Sequence, residues 1–226
     1  MGKLSKNRKI SEAKVDNSKL YSLSEACSLL KDISTTKFDE SVDLAVRLGV
    51  DPKKANEMVR GVVSLPNGTG KDMKVLALVT PDKTDEAKKA GADYVGLDEY
   101  IEKIKGGWTD IDVIVTMPSV MGKLGPLGKI LGPRGLMPNP KTGTVTNDVK
   151  STIENINKGL VAYKNDKAGT IHAALGKISF DENQLSENIN SFVEEIKKIK
   201  PSGLKGNFIN SVFVSSTMGF GLKVEV

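Results

Sequence analysis

Apolar residues recur along this chain with changing periods, and each period predicts a different element. Helical spacing begins at Ser22: Leu23, Ala26, Leu29 and Leu30 share one face, and Ser22 with Glu25 three residues on makes a capping box. From Phe38 the period drops to two. Phe38, Val42, Leu44, Val46, Leu48 and Val50 fall on one side and Asp39, Ser41, Asp43 and Arg47 on the other, which predicts a long half-buried strand. Asp51-Pro52 predicts a short helix before a strand over Val59 to Leu65, and Leu65-Pro66-Asn67-Gly68-Thr69-Gly70 then breaks the pattern at an expected domain boundary.

Beyond that break, alternation gives way to continuous apolar runs. Val75 to Thr80, Asp93 to Gly96 and Ile111 to Thr116 read as strands, with helices over Asp82 to Ala90 and Asp98 to Lys105 between them. Such alternation implies a small parallel sheet covered on both faces, a Rossmann-like α/β unit. A helix from about Asp148 follows, carrying Val149, Ile153, Ile156 and Leu160 on one face. After Gly159 the first texture returns: strands at Val161 to Tyr163 and Thr170 to Phe180, then a helix from Asn183 to Ile199 ended by Pro201 and Gly203. Strands over Asn207 to Ser216 and Leu222 to Val226 come last, joined by a turn through Thr217-Met218-Gly219-Phe220-Gly221. Similar texture on either side of a different middle predicts an α+β protein of two domains. Residues 1–67 and 160–226 form a discontinuous outer α/β sandwich domain with a largely antiparallel sheet, residues 68–159 an inserted Rossmann-like domain, and Gly68, Gly70 and Gly159 the hinge between them.

The middle also holds the least ordinary stretch. Between Met121 and Lys141 stand Gly122, Gly125, Gly128, Gly132 and Gly135 with Pro126, Pro133, Pro138 and Pro140, which excludes a long helix or interior strand and predicts a shaped loop. Lys123, Lys129, Arg134 and Lys141 make it cationic, with no acid from Val113 to Asn147. Two readings stay open: a contact for nucleic-acid phosphates, and a loop packed on its own domain.

Composition narrows the chemistry. One cysteine, Cys27, and one histidine, His172, exclude an internal disulfide, a CxxC metal knuckle and most nucleophile–base pairs. Cys27 lies among Leu23, Ala26, Leu29 and Leu30 and reads as a buried thiol. No catalytic residue, metal or cofactor is expected. Gly68-Thr69-Gly70-Lys71 fails as a phosphate loop, because Leu65 stands where the first glycine belongs and Asp72 where a hydroxyl is needed. No apolar run is long enough for a membrane span and no signal peptide is evident, so a cytoplasmic protein without a membrane partner is expected. The net charge of +5 is concentrated at the start: Lys3, Lys6, Arg8, Lys9, Lys14 and Lys19 against Glu12 and Asp16. A basic arm on a nearly neutral body points to a polyanion.

Read as it stands, GKLGPLGKILGPRGLMPNPKTGTVT closely resembles the corresponding segment of the bacterial large-subunit ribosomal protein L-one family. Lys37-Phe38-Asp39-Glu40, the run from Lys164 to His172, Gly176-Lys177 and Ser216-Thr217-Met218-Gly219 match that family as well, and the resemblance covers nearly the whole chain. Asn67, Ala174 and Phe220-Gly221 depart from its usual pattern. The resemblance implies an RNA-binding surface on the outer domain made by Lys37, Phe38, Glu40, Lys164, Asp166, Lys167, Thr170, His172, Gly176, Ser216, Thr217, Met218 and Gly219. It also implies the partners: large-subunit rRNA at the mobile stalk, transfer RNA released from the exit site, the protein's own messenger, which it represses, and other ribosomal components, with a monomer when free. Physically, hydroxyls of Ser and Thr suit 2′-OH and phosphate, Phe38 and Met218 suit sugar and base faces, and lysines neutralise phosphate. Taken without the resemblance, Phe38 reads as core at a strand start and Thr217 to Gly219 as a plain turn. The rival classes are an enzyme or nucleotide-binding module built on the α/β domain, and a protein-interaction scaffold.

Overall fold

A computed structural model of the chain describes residues 6–16, 19–54, 57–201, 204 and 206–225. Lys3 of the basic arm, Gly203 beyond the long helix and Val226 of the last strand lie outside the described residues. Lys6–Glu12 forms α1 and Leu23–Ile33 forms α2, opened by Ser22, whose hydroxyl accepts the Glu25 amide at 3.3 Å. β1 spans Ser41–Leu48 and β2 spans Arg60–Ser64. β1 starts three residues later than the alternation predicts, so Phe38 precedes it and is 57% exposed instead of joining the core. Asp51-Pro52 starts no helix among the described residues 51–54. The Asp51 carboxylate accepts the Lys53 amide at 3.1 Å and its carbonyl accepts the Lys54 amide at 3.1 Å, which closes a turn instead.

β3 (Val75–Leu78), α3 (Thr84–Lys89), β4 (Tyr94–Gly96), α4 (Asp98–Lys105) and β5 (Val113–Thr116) then alternate. The Gly/Pro stretch is more ordered than a loop: α5 (Met121–Leu124) and α6 (Gly128–Leu131) are single helical turns linked by one 3-10 turn. Leu124, Leu127 and Leu131 are buried at helical spacing, and Pro126 sits in the first turn of its segment, where its missing N–H is not needed. α7 (Val149–Asn157), β6 (Leu160–Lys164), β7 (Thr170–Lys177), α8 (Glu182–Lys198), β8 (Ile209–Ser216) and β9 (Leu222–Val224) complete the order. No helix of the described residues is long and apolar enough to cross a membrane.

The chain divides into two compact units, Met1–Gly70 with Val161–Val226, and Lys71–Leu160. In the first, β7-β1-β8-β9 form one antiparallel sheet. Val42, Leu44, Val46 and Leu48 of β1 face inward with Ile171 and Leu175 of β7 and Val212 and Val214 of β8, all buried. α2 and α8 cover that face, contributing Cys27, Leu30, Ile189 and Phe192, and the Phe192 ring meets Tyr163 at 5.4 Å. Burial pushes the Cys27 thiol up to about 11, so the thiol is inert, as its helical neighbours predict. α8 also carries a fully buried Asn188. Its amide donates to Gly68 O at 3.0 Å and Leu175 O at 2.7 Å, and its oxygen accepts the Asn67 amide at 3.1 Å. That side chain ties the segment leaving this unit to both helix and sheet.

In the second unit β4-β3-β5 form a parallel sheet. All of β3 is buried, and alternate residues enter separate cores: Leu76 and Leu78 pack with Ile101, Ile104 and Leu124, while Val75 and Ala77 pack with Ala87, Val149 and Ile153. Both faces are therefore covered, as continuous apolar strands require.

Candidate nucleic-acid interface

Period two in the outer sheet leaves the residues of one face exposed or half-buried among the described residues, and the register aligns them in rows. His172, Ala45, Phe213 and Lys223 lie side by side across β7, β1, β8 and β9. Ala174, Asp43 and Ser215 make a parallel row, and Thr170, Arg47 and Ser211 another. Asp43, Ala45, His172, Ala174 and Ser215 line a shallow depression there. Phe213 is 38% exposed, an aromatic surface on a sheet whose next residues on either side, Val212 and Val214, are buried. Burial pushes the Asp43 carboxyl up, and nearby His172 offsets part of that.

The residues expected at an RNA surface fall into three groups. At the start of β1, Lys37 and Phe38 are exposed beside the turn after β8. That turn is pinned to β1: the Thr217 amide donates to Ser41 O at 3.1 Å, and the Thr217 hydroxyl accepts the Ser41 amide at 3.1 Å. Met218 at its tip is 67% exposed. At the opposite end, Asp166 organises the turn between β6 and β7 by accepting the Thr170 and Ala168 amides, each at 2.8 Å. These bonds, Thr170's first, hold the Asp166 carboxyl below the ordinary carboxylate range. Lys164 and Lys167 are exposed on that turn and on the strand before it, with Gly169 at φ 77. The length of β1, roughly 24 Å, separates the two ends, and His172 lies between them on the open face. His172 faces Asp166 at 3.8 Å.

The third group is inside. Glu40 is 1% exposed and Ser216 3% exposed, both on the covered side of the sheet, and Gly176 is wedged where a Cβ would meet Leu185 at 2.9 Å. Asp43, Ala45, Arg47, Phe213, Ser215 and Lys223 share the open face and were not among the expected site residues. The alternation of β1 had already put Asp43 and Arg47 outward; an outward Phe213 is the signal that the pattern left unused.

In the other unit Lys123, Lys129, Arg134 and Lys141 are exposed, but two are engaged locally. Lys123 pairs with Asp98 at 2.9 Å, and Arg134 bonds the Thr109 hydroxyl. The stretch is acid-free in sequence, yet α4 supplies an acid to it. Among the described residues no group of three or more His, Cys, Asp or Glu could hold a metal ion. The basic arm is helical in part. α1 packs by Ser11 Oγ donating to Ile33 O at 3.1 Å and by the Arg8 guanidinium 4.9 Å from the Phe220 ring centroid.

Residues 30–220 match the family described as Ribosomal protein L1p/L10e. Over 225 residues the chain is 59% identical to the large ribosomal subunit protein uL1 of Bacteroides thetaiotaomicron, and the alignment covers 100% of this chain and 97% of that protein. The uL1 proteins of Porphyromonas gingivalis and Phocaeicola vulgatus are 59% and 60% identical over the same 225 residues, with the same coverage.

Proposed function

The chain belongs to the Ribosomal protein L1p/L10e family, which is not a family of enzymes, and from that premise we propose that it is a component of the large ribosomal subunit that binds large-subunit rRNA through its outer unit. The observation that carries this reading is the open face of the four-stranded sheet, bearing His172, Phe213 and Lys223 in one row, with Phe38 and Met218 exposed at its corner. A flat face with aromatic and aliphatic surface, hydroxyls and few cations suits recognition of RNA by contour and 2′-OH contacts, with phosphate neutralised at the rim by Lys37, Lys164 and Lys167. Held there at the mobile stalk, the protein assists release of deacylated transfer RNA from the exit site. The same face takes a similar fold in its own messenger and represses translation. The free protein is a monomer, and the inserted unit pivots about Gly68, Gly70 and Gly159, which have φ of 67°, 66° and 103°.

The test is retention of a defined stalk rRNA fragment at moderate salt over random RNA of equal length, because non-specific binding does not discriminate. Met218→Asp places a charge on the exposed corner and is expected to weaken the specific complex roughly tenfold or more with little change in the thermal melt. Equal retention of both RNAs by the unaltered chain contradicts the proposal.

A further inference from the structure

Beneath the turn that carries Thr217 and Met218 lies a cavity of about 260 Å³, bordered by Arg8, Ile33, Glu40, Ser216, Met218 and Phe220. Two buried polar atoms of these bordering residues, Glu40 Oε2 and Ser216 Oγ, make no hydrogen bond. A carboxylate oxygen withdrawn from water without a donor is destabilising, so its place beside a cavity asks for a ligand that supplies one. Three nearby hydroxyls are engaged with backbone groups. Ser11 Oγ donates to Ile33 O at 3.1 Å, Thr36 Oγ1 donates to Phe38 O at 3.1 Å, and Thr217 Oγ1 is held by Ser41.

We propose that this cavity receives the Watson–Crick edge of a single unpaired guanine, with the Glu40 carboxylate accepting from its N1–H and N2–H₂ groups. The proposal rests on the RNA-binding reading above and names what one corner of that surface selects. An ionised carboxylate accepts only and repels phosphate, so a nucleic acid must approach it by a base or a ribose hydroxyl. Two carboxylate oxygens match two adjacent donors on a planar edge. Guanine alone among the four RNA bases presents such a pair; adenine, cytosine and uracil each set a donor beside an acceptor, which would face the carboxylate unfavourably. A hydroxyl would use one oxygen and leave most of the cavity empty. The volume lies under the roughly 300 Å³ at which sites for drug-sized molecules begin and suits one base better than a base pair. Ile33, Met218 and Phe220 give apolar surface for the ring faces, and Met218, 67% exposed, is free to move over an entering base. Gly219 keeps the turn thin, since a Cβ there would run into Ser216 Oγ.

The experiment is a heteronuclear NMR titration of the full chain with guanosine, inosine and adenosine, following the Ser216 and Gly219 amides. Guanosine is expected to give saturable shifts, inosine, which lacks the N2 amino group, roughly tenfold weaker ones, and adenosine none. Glu40→Gln should lower guanosine affinity by about the same factor. Equal response to all three nucleosides, no response to any, or guanosine binding unaltered in Glu40→Gln overturns the proposal. If Glu40→Gln does not fold, the nucleoside series on the unaltered chain decides alone, with Ser216→Ala as the second variant, expected to weaken guanosine. Retention of the stalk rRNA fragment is measured on the same samples. A chain that holds the fragment yet ignores guanosine loses the guanine site and keeps the wider reading. A chain that takes guanosine but does not hold the fragment loses the wider reading instead.

Discussion

The parallel sheet of Lys71–Leu160 and the antiparallel sheet of the other unit are built from similarly apolar strands, but the first has helices on both faces and the second on one. In β3 every side chain is buried, and odd and even positions feed different cores; in β1 the even positions are buried and the odd ones line an open surface. The difference teaches where a partner can be held. A sheet covered on both sides has only its loops to offer, whereas a half-covered sheet presents a stiff platform with side chains at fixed spacing.

Charge inserted at consecutive strand positions tests this most severely. Ala77→Asp and Leu78→Asp should each unfold the parallel sheet, costing about 4 kcal/mol or more, because both faces are dry. Val46→Asp should do the same to the other unit, while its neighbour Ala45→Asp should stay within about 1 kcal/mol in denaturant melts. Equal damage from Ala45→Asp and Val46→Asp would mean that the face opposite the helices is not open. A smaller loss is expected where the outer unit holds its outgoing segment: Asn188→Ala leaves Gly68 O, Leu175 O and the Asn67 amide unpaired and should cost about 2–3 kcal/mol by the same assay.

Next comes the platform itself. Phe213→Ala removes the aromatic surface from the central row and should weaken rRNA-fragment affinity roughly tenfold, as loss of one stacked base would, with the melt nearly unchanged. The smallest effect concerns the turn between β6 and β7. The Asp166 carboxyl is depressed chiefly by the Thr170 amide, so it stabilises the fold above the ordinary aspartate value of about 4, and that contribution disappears as pH falls through its own lower value. The melting temperature of Asp166→Asn should therefore trail the unaltered chain at about pH 6 and converge with it by about pH 2. A difference that grows as pH falls would reverse the sign and exclude this role.

Most of the fold could be read from the chain because its periods are strong. The alternation through Val42, Leu44, Val46 and Leu48, the continuous run at Val75 and the capped helices at Ser22 and Asp148 each follow from local pattern. The pattern overran at Phe38, since alternation does not show where pairing stops; the first residue of β1 to pair is Ser41. The Gly/Pro stretch hid its helical turns because glycine and proline dominate its composition, although Leu124, Leu127 and Leu131 kept the spacing. The candidate surface came from resemblance more than from periodicity. Glu40 looks solvated by type but is buried, beside a cavity that residues of α1 and of the turn at Met218, from distant parts of the chain, also border. Lys123 looked unopposed until Asp98, 25 residues earlier, was folded against it.

The measurement that bears most directly on the account is amide hydrogen exchange of the full chain with and without the stalk rRNA fragment. Protection should rise in residues 37–47, 164–177 and 209–224, the open face and its two ends, and stay unchanged in residues 121–143. Protection confined to residues 121–143, with the outer sheet unaffected, would contradict it.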